Sequence, residues 1–435
     1  MKIAYFSPFS PDPSGISDFS EELLPELGKY MDIDLFSRIK IENTNIRNQF
    51  PNYRIEEFKN NNLKDNYDFL VYQVGNNHLY HKEVIDTFLE YPDILELHDV
   101  SLHHFLAEDT YVQHDYEKYV EIMKYCHGKD GERTARRFLN GEIRAPWENH
   151  AEKYIVNKYL IDKARAVIVH SDFAKQTVKG IRKDVPIINI PLHTPDIVKD
   201  YLTLKENCKA KLKIPYDTLV FGSFGYATIA KRIEPILNAL SLFKKEYKHK
   251  FKYYIVGKVE HIDTTSIIKK LDLEDNVIVT GFVEMSDFKT YMGACDICFN
   301  LRYPTQGESS ASLHRMLGMG KPILVTNIGS FEEYPEEIVA KVRHDEHEVS
   351  DILSIIKRMT NSDQELKTRS KLAYEFANNN CDIKKNAKRY FSFLSKIENG
   401  SYQEEYIDYL LDNIMELNLC DEKYVVGLGQ KVFWL

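Results

Sequence analysis

Leu301-Arg-Tyr-Pro-Thr-Gln-Gly-Glu-Ser-Ser-Ala-Ser-Leu-His-Arg-Met-Leu-Gly-Met-Gly-Lys-Pro-Ile-Leu-Val-Thr-Asn-Ile-Gly-Ser-Phe331 reads as strand end, small-residue loop, helix, turn and strand. The run Cys295-Asp-Ile-Cys-Phe-Asn300 before it is a short, mostly apolar strand. Gly307, Ser309, Ser310, Ala311 and Ser312 then crowd small residues around one carboxylate, Glu308. A helix starts there, because serine caps helices well and Leu313, Met316 and Leu317 recur at helical spacing. Gly320 stops it, Pro322 prevents its return, and Ile323 to Val325 form the next buried strand. Small side chains at a helix start let an anion approach backbone N–H groups that lack helical partners. The stretch therefore suggests a cradle for phosphate or diphosphate. Glu308 stays free to accept hydrogen bonds from an uncharged group beside it.

A chain of 435 residues exceeds one ordinary core, so two domains are expected. With 43% hydrophobic and 28% charged residues the composition is that of a soluble globular protein. A net charge of -9 argues against a dedicated nucleic-acid binder. The six cysteines are scattered, and Cys295-x-x-Cys298 lies in an apolar strand without a second ligand pair. They read as reduced core thiols, which fits a cytoplasmic protein. No apolar run approaches the ~20 residues needed to cross a bilayer. Met1-Lys-Ile-Ala-Tyr-Phe6 enters a strand directly, with no cleavable signal. Peripheral contact with the inner face of a membrane stays open, as does a homodimer. The 28 tyrosines and 23 phenylalanines leave room for such contact but form no clear amphipathic anchor.

The N-terminal half opens with a buried strand, Lys2 to Ser7, and a rigid loop of three prolines and a glycine. Gly15 and Ser17 stand at the start of the following helix, an anion-compatible position. The loop is not Gly-x-Gly-x-x-Gly, so a dinucleotide site is not supported. Asp32-Ile-Asp34 alternates with apolar residues inside the second strand and reads as structural. The strand from Asp68 to Gln73 ends in Val74-Gly-Asn-Asn-His78, and that from Asp93 to Leu97 ends in His98-Asp-Val-Ser101. Polar residues bunched at such ends face the ligand crevice of an open parallel sheet. This makes His98 a functional candidate, with Asn76, Asn77 and Asp99 as candidates for contacting a ligand. Residues 102–162 read as a helical insertion that shapes an acceptor cleft or serves as scaffold. Strands at Ala166 to His170 and Ile187 to Ile190 complete this half.

The C-terminal half restarts with a strand from Thr218 to Phe224, then Gly225-Tyr-Ala-Thr-Ile-Ala-Lys-Arg232 and a helix from Ile233. Cations are unfavourable at a helix start, so Lys231 and Arg232 there suggest a bound polyanion. Further strands are expected at Tyr253 to Val256 and Val277 to Gly281. Helices are expected at 352–359, 364–378, 384–398 and 402–418. Alternating strands and helices make both halves doubly wound α/β domains.

Two such halves with anion-type helix starts resemble a GT-B glycosyltransferase. More closely, the chain looks like the retaining, nucleotide-sugar-dependent glycosyltransferase family 4 (group 1). The matching pieces run in order: Ser7-Pro-Phe-Ser-Pro-Asp-Pro-Ser-Gly-Ile-Ser-Asp18, Tyr72-Gln-Val-Gly-Asn-Asn77, Leu97-His-Asp99 and Val167-Ile-Val-His-Ser-Asp-Phe-Ala174. Phe224-Gly225 with Lys231, Gly281-Phe-Val283, and Asn300 through Ser310 to Gly320-Lys-Pro322 follow. The resemblance implies two Rossmann-like domains facing a central cleft. An acceptor-side domain would span 1–196, a nucleotide-sugar domain 197–383, and terminal helices 384–435 packing back on the first domain.

It implies roles too. Lys231 would bind the donor diphosphate. Glu308 would hold sugar hydroxyls, and Ser309, Ser310 and the helix start, with Ser312, would hold phosphate. His98 would meet the transferred sugar, Gly15 the diphosphate or acceptor, and Asn76, Asn77 and Asp99 the acceptor. Gly281 and Val283 would meet the base by backbone. The family's two glutamates, with seven residues between them, align here with Gly307, one before Glu308, and with Arg315; Glu333 is one substitute for the ribose contact. Its arginine after the glycine at 225 is Tyr226, so Arg232 or Arg302 would supply that charge. The implied reaction is retaining transfer of a hexose from a nucleotide diphosphate sugar to a glycan or lipid-linked hydroxyl, in surface polysaccharide or glycoconjugate synthesis. Neither cofactor nor metal is implied. A non-catalytic sugar- or nucleotide-binding subunit of a glycan-assembly complex is the alternative.

Overall fold

The computed structural model describes residues 1–149, 151–194, 197–198, 200–247, 250–260 and 262–402. The helix expected at 402–418 lies outside them, save for its first residue.

Strand β1 (Lys2–Phe6) is buried on both faces, as a run of alternating large apolar residues requires in a parallel sheet covered by helices. Ile3 and Tyr5 enter one apolar cluster while Ala4 and Phe6 enter the other. The first sheet adds β2 (Asp32–Ser37), β3 (Asn52–Arg54), β4 (Phe69–Val74), β5 (Ile94–Leu97), β6 (Ala166–Val169) and β7 (Ile187–Asn189). Its order is β3-β2-β1-β4-β5-β6-β7, all parallel.

The second sheet comprises β8 (Leu219–Phe224), β9 (Phe251–Val256), β10 (Val277–Gly281), β11 (Ile297–Asn300), β12 (Ile323–Thr326) and β13 (Val339–Val342). Its order is β10-β9-β8-β11-β12-β13, again parallel. Each sheet reverses its winding at one place, between β1 and β4 and between β8 and β11. Ligands in open parallel sheets bind in the crevice outside such a switch point. Here the two crevices face each other.

Between residues 102 and 162 the helical insertion is broken into pieces, the longest being Tyr116–Leu139 with a kink at Gly128 (φ 60°). Trp147 and Phe138 pack inside it, with ring centroids 4.8 Å apart. Helix Ile383–Glu398 returns to the first lobe, where Ala387, Tyr390, Phe393 and Leu394 join the cluster around Leu23, Leu24 and Leu27. Asn386 anchors it by donating to the Pro191 carbonyl at 2.6 Å.

Elements that the sequence reading passed over are the helices Thr44–Gln49, Ile55–Asn60, His78–Glu90, Thr264–Lys270 and Met285–Ala294 and the strands β3 and β13. All five described cysteines are free thiols. Among the described residues no helix is long and apolar enough to cross a membrane.

Candidate active site

The helix predicted at the opening stretch runs from Ala311 to Gly318, capped by the Ser310 hydroxyl, which accepts from the Leu313 amide at 3.3 Å. Ser310 and Ser312 are steadied from below, both donating to Asn300 Oδ1 at 3.1 and 3.3 Å. The helix start opens into a cavity of about 420 Å³ between the lobes, which also receives Gly15, His98, Lys231, Arg302 and Glu308. Residues from the loops after β1, β5, β8 and β11 thus meet in one space.

Lys231 reaches this cavity from the loop after β8, its Nζ donating to the Phe224 carbonyl at 3.1 Å. Burial, and to a lesser degree repulsion from Arg302, pull the ammonium down to about 7, with Glu308 opposing. An ammonium so disfavoured calls for anionic company. Arg302 lies beside it, its Nε 2.8 Å from Glu308 Oε1. The other carboxylate oxygen of Glu308 accepts from Thr305 Oγ1 at 3.0 Å and from the Gln306 amide at 2.7 Å. Glu308 is therefore held rigidly, and in this state one of its oxygens is shared with arginine.

From the opposite lobe, His98 presents its ring at the end of β5, with Nε2 2.7 Å from Gln73 Oε1. Asp99 accepts from the Asn76 amide at 2.8 Å, and Asn76 Oδ1 accepts from the Phe105 amide at 2.9 Å. Burial first, then the nearby Glu308, push the Asp99 carboxyl up to about 6. Asn77 lines the same wall and precedes helix His78–Glu90. Gly15 sits at the start of helix Gly15–Leu27 with open space where a Cβ would be.

Other candidates are placed elsewhere. Arg232 adopts a left-handed backbone (φ 56°) and turns away to Glu348, with two nitrogens on two oxygens, Nε to Oε1 being 2.9 Å. Glu348 is buried, so removing its partner strands a charge. Arg232→Ala should destabilise the protein by about 2 kcal/mol, the scale of a charged hydrogen bond. Thermal unfolding beside donor KM would check this; a raised KM with unchanged stability would return Arg232 to the donor site.

Glu333 caps helix Asp172–Ile181 of the other lobe, accepting from the amides of Asp172 (3.0 Å) and Phe173. Ser309 likewise spends its hydroxyl across the gap, donating to the His170 carbonyl at 3.1 Å. Gly281 (φ 69°) and Val283 stand at the end of β10, outside the cavity around Lys231; Val283 packs against the second lobe's core.

Sequence reasoning missed Asp18 and Glu22, which line the cavity one turn apart on helix Gly15–Leu27. The signal was there: Gly15, Asp18, Phe19 and Glu22 share one helical face. Arg315, where the family has a glutamate, pairs through Nη2 with Glu22 Oε1, while His193 Nε2 meets Glu22 Oε2 at 3.2 Å. Burial raises Glu22, but His193 and Arg315 together overcome it and hold the carboxyl below its usual range. Asp18 is pushed up to about 6 by burial and by Glu22.

One group among the described residues, Glu96, His98 and His170, brings three ligand-type atoms within 4.8 Å of one another. Within it His98 Nε2 is hydrogen-bonded to Gln73 Oε1.

Residues 205–376 match the family model of glycosyl transferases group 1. That match covers most of the second lobe. Across nearly the whole chain the fold resembles that of Anabaena HepE, solved with UDP: TM-score 0.61, 16% identity, 91% of this chain and 100% of that one. It resembles equally the sucrose-phosphate synthase of Thermosynechococcus elongatus, with TM-score 0.63, 14% identity, and 92% and 100% coverage. WaaG, a glycosyltransferase involved in lipopolysaccharide biosynthesis, gives 0.59 at 11% identity over 90% and 99%. At such identities the likeness shows the fold, which is GT-B. No curated protein matches the sequence.

Proposed function

We propose that the protein transfers a hexose, with retention, from a nucleoside diphosphate sugar to a hydroxyl of a glycan or lipid-linked acceptor. Surface polysaccharide or glycoconjugate synthesis would use such a step. The observation that carries the reading is the convergence of Lys231, Arg302 and the helix start at 310–312 on one inter-lobe cavity opposite His98. A departing diphosphate needs fixed positive charge where its own charge develops. This site can supply it from side chains and backbone amides, without a metal ion. His98, Asp99 and Asn76 form the facing wall, where sugar and acceptor would be held on one face of the anomeric carbon. The base would lie toward Gly281 and Val283, and a uridine nucleotide is the first to try, since the HepE structure holds UDP.

A second reading, a non-catalytic sugar- or nucleotide-binding subunit, is favoured by Arg315 and its pairing with Glu22. Incubation with a panel of nucleotide sugars separates the two. Slow nucleotide release, speeded by saccharide acceptors, is the expected result. Tight binding of the same donors without any release would sink the transferase reading.

A further inference from the structure

Beneath the cavity floor runs a chain of buried polar groups that the proposed reaction does not use directly. It starts at a backbone carbonyl. His170 Nδ1 lies 2.8 Å from the Ile190 oxygen, which can only accept, so Nδ1 carries the hydrogen. In a neutral ring Nε2 is then a bare lone pair. It faces Glu96 Oε1 at 3.5 Å, and neither atom has another hydrogen-bonding partner. Two buried acceptors do not face each other without a proton between them. Burial raises Glu96 to about 8 and lowers His170 to about 4, so the proton rests on the carboxyl. His193 and His314 add to the penalty on charging His170.

The rest follows link by link. With Oε1 donating to His170, Glu96 Oε2 is the acceptor, and Gln73 Nε2 donates to it. The Gln73 amide is thereby oriented with Oε1 outward, 2.7 Å from His98 Nε2. That nitrogen must donate, which leaves His98 Nδ1 bare.

We propose that Glu96, in its acid form, is a positioning residue that works through Gln73 to hold His98 as the Nε2–H tautomer, so that Nδ1 meets the bound sugar as an acceptor for a hydroxyl. The proposal rests on the transferase reading only for the identity of the hydroxyl donor. Reversal of any one link would present a donor instead, and a hydroxyl that must donate would be refused.

The test is spectroscopic and needs no substrate. Histidine-selective ¹⁵N labelling of the intact protein near neutral pH distinguishes protonated from bare ring nitrogens, with resonances assigned through His98→Gln and His170→Gln. Wild type should show His98 bare at Nδ1 and His170 bare at Nε2. Glu96→Gln should keep both signatures, because its amide nitrogen donates to His170 while its carbonyl accepts from Gln73. Gln73→Leu should leave His98 with mixed tautomers. His98 protonated at Nδ1 in wild type would overturn the proposal, as would a tautomer change in Glu96→Gln. Zinc that raises the wild-type Tm and shifts both histidines would overturn it too, by putting a cation where the proton belongs. A protein that transfers no sugar yet shows these signatures would lose the reaction and keep the relay.

Discussion

Lys231→Ala should lower kcat/KM for the donor by about 10²-fold or more while the protein stays folded, the scale on which preorganised charge-stabilising groups act. The ammonium sits where a leaving diphosphate would gather charge, and Arg302 beside it is already shared with Glu308. Near-normal transfer by the variant would remove Lys231 from the reaction. A pH series sharpens the point. Burial holds the folded-state value near 7, below the 10.5 of a free lysine. The charged form is thus disfavoured in the folded protein. The resulting cost to stability is full below pH 7 and fades as pH rises toward 10.5. A bound diphosphate reverses the balance and draws a proton onto Nζ. Donor binding above pH 7 should therefore take up a proton, and donor KM should climb as pH rises from 7 to 9. Calorimetry in two buffers of different ionisation enthalpy measures that proton directly. Lys231→Arg should flatten the climb, since guanidinium keeps its charge.

What the sequence made legible was local. The stretch from Asn300 to Gly320 declares its helix through an N-cap serine, apolar spacing and a terminating glycine, and the structure differs only in its last residues. Strand ends at His98 and Asn76 were legible because polar residues bunch there after apolar runs. Strand β3 was not: three residues of mixed character, Asn-Tyr-Arg, carry no period. β13 has only four residues and one lysine among its valines and alanine. The partners of long side chains were beyond reach as well. Whether Arg232 meets a diphosphate or Glu348 depends on an element 116 positions away. The Glu22–Arg315 pair spans 293 positions and two lobes, and nothing local to either residue announces the other. Glu333 looked available for a ribose because its helix-capping partners belong to the other lobe.

Those cross-lobe contacts make closure itself testable, and Gly307→Ala should be its most damaging small change. Gly307 holds φ at 72°, where a Cβ costs about 1–2 kcal/mol of backbone strain. A Cβ there would also stand 2.7 Å from Val100 Cβ and 3.0 Å from Phe173 Cε1, both in the facing lobe. Around it, Ser101 donates its amide to the Gln306 carbonyl at 2.8 Å and Ser309 reaches the His170 carbonyl. The methyl group therefore acts as a wedge at the point where the lobes touch. Glu308, next in sequence, would move with the loop. A misplacement of ~1 Å at a reacting centre can cost about 10²-fold. The expected result is a fall in kcat of that order, with binding of the free nucleotide to the second lobe changed far less. Val100→Gly in the same chain clears the nearest obstruction and should restore part of the rate, leaving the strain and the Phe173 contact. If Gly307→Ala left kcat unchanged, the lobes would not need this contact in order to react.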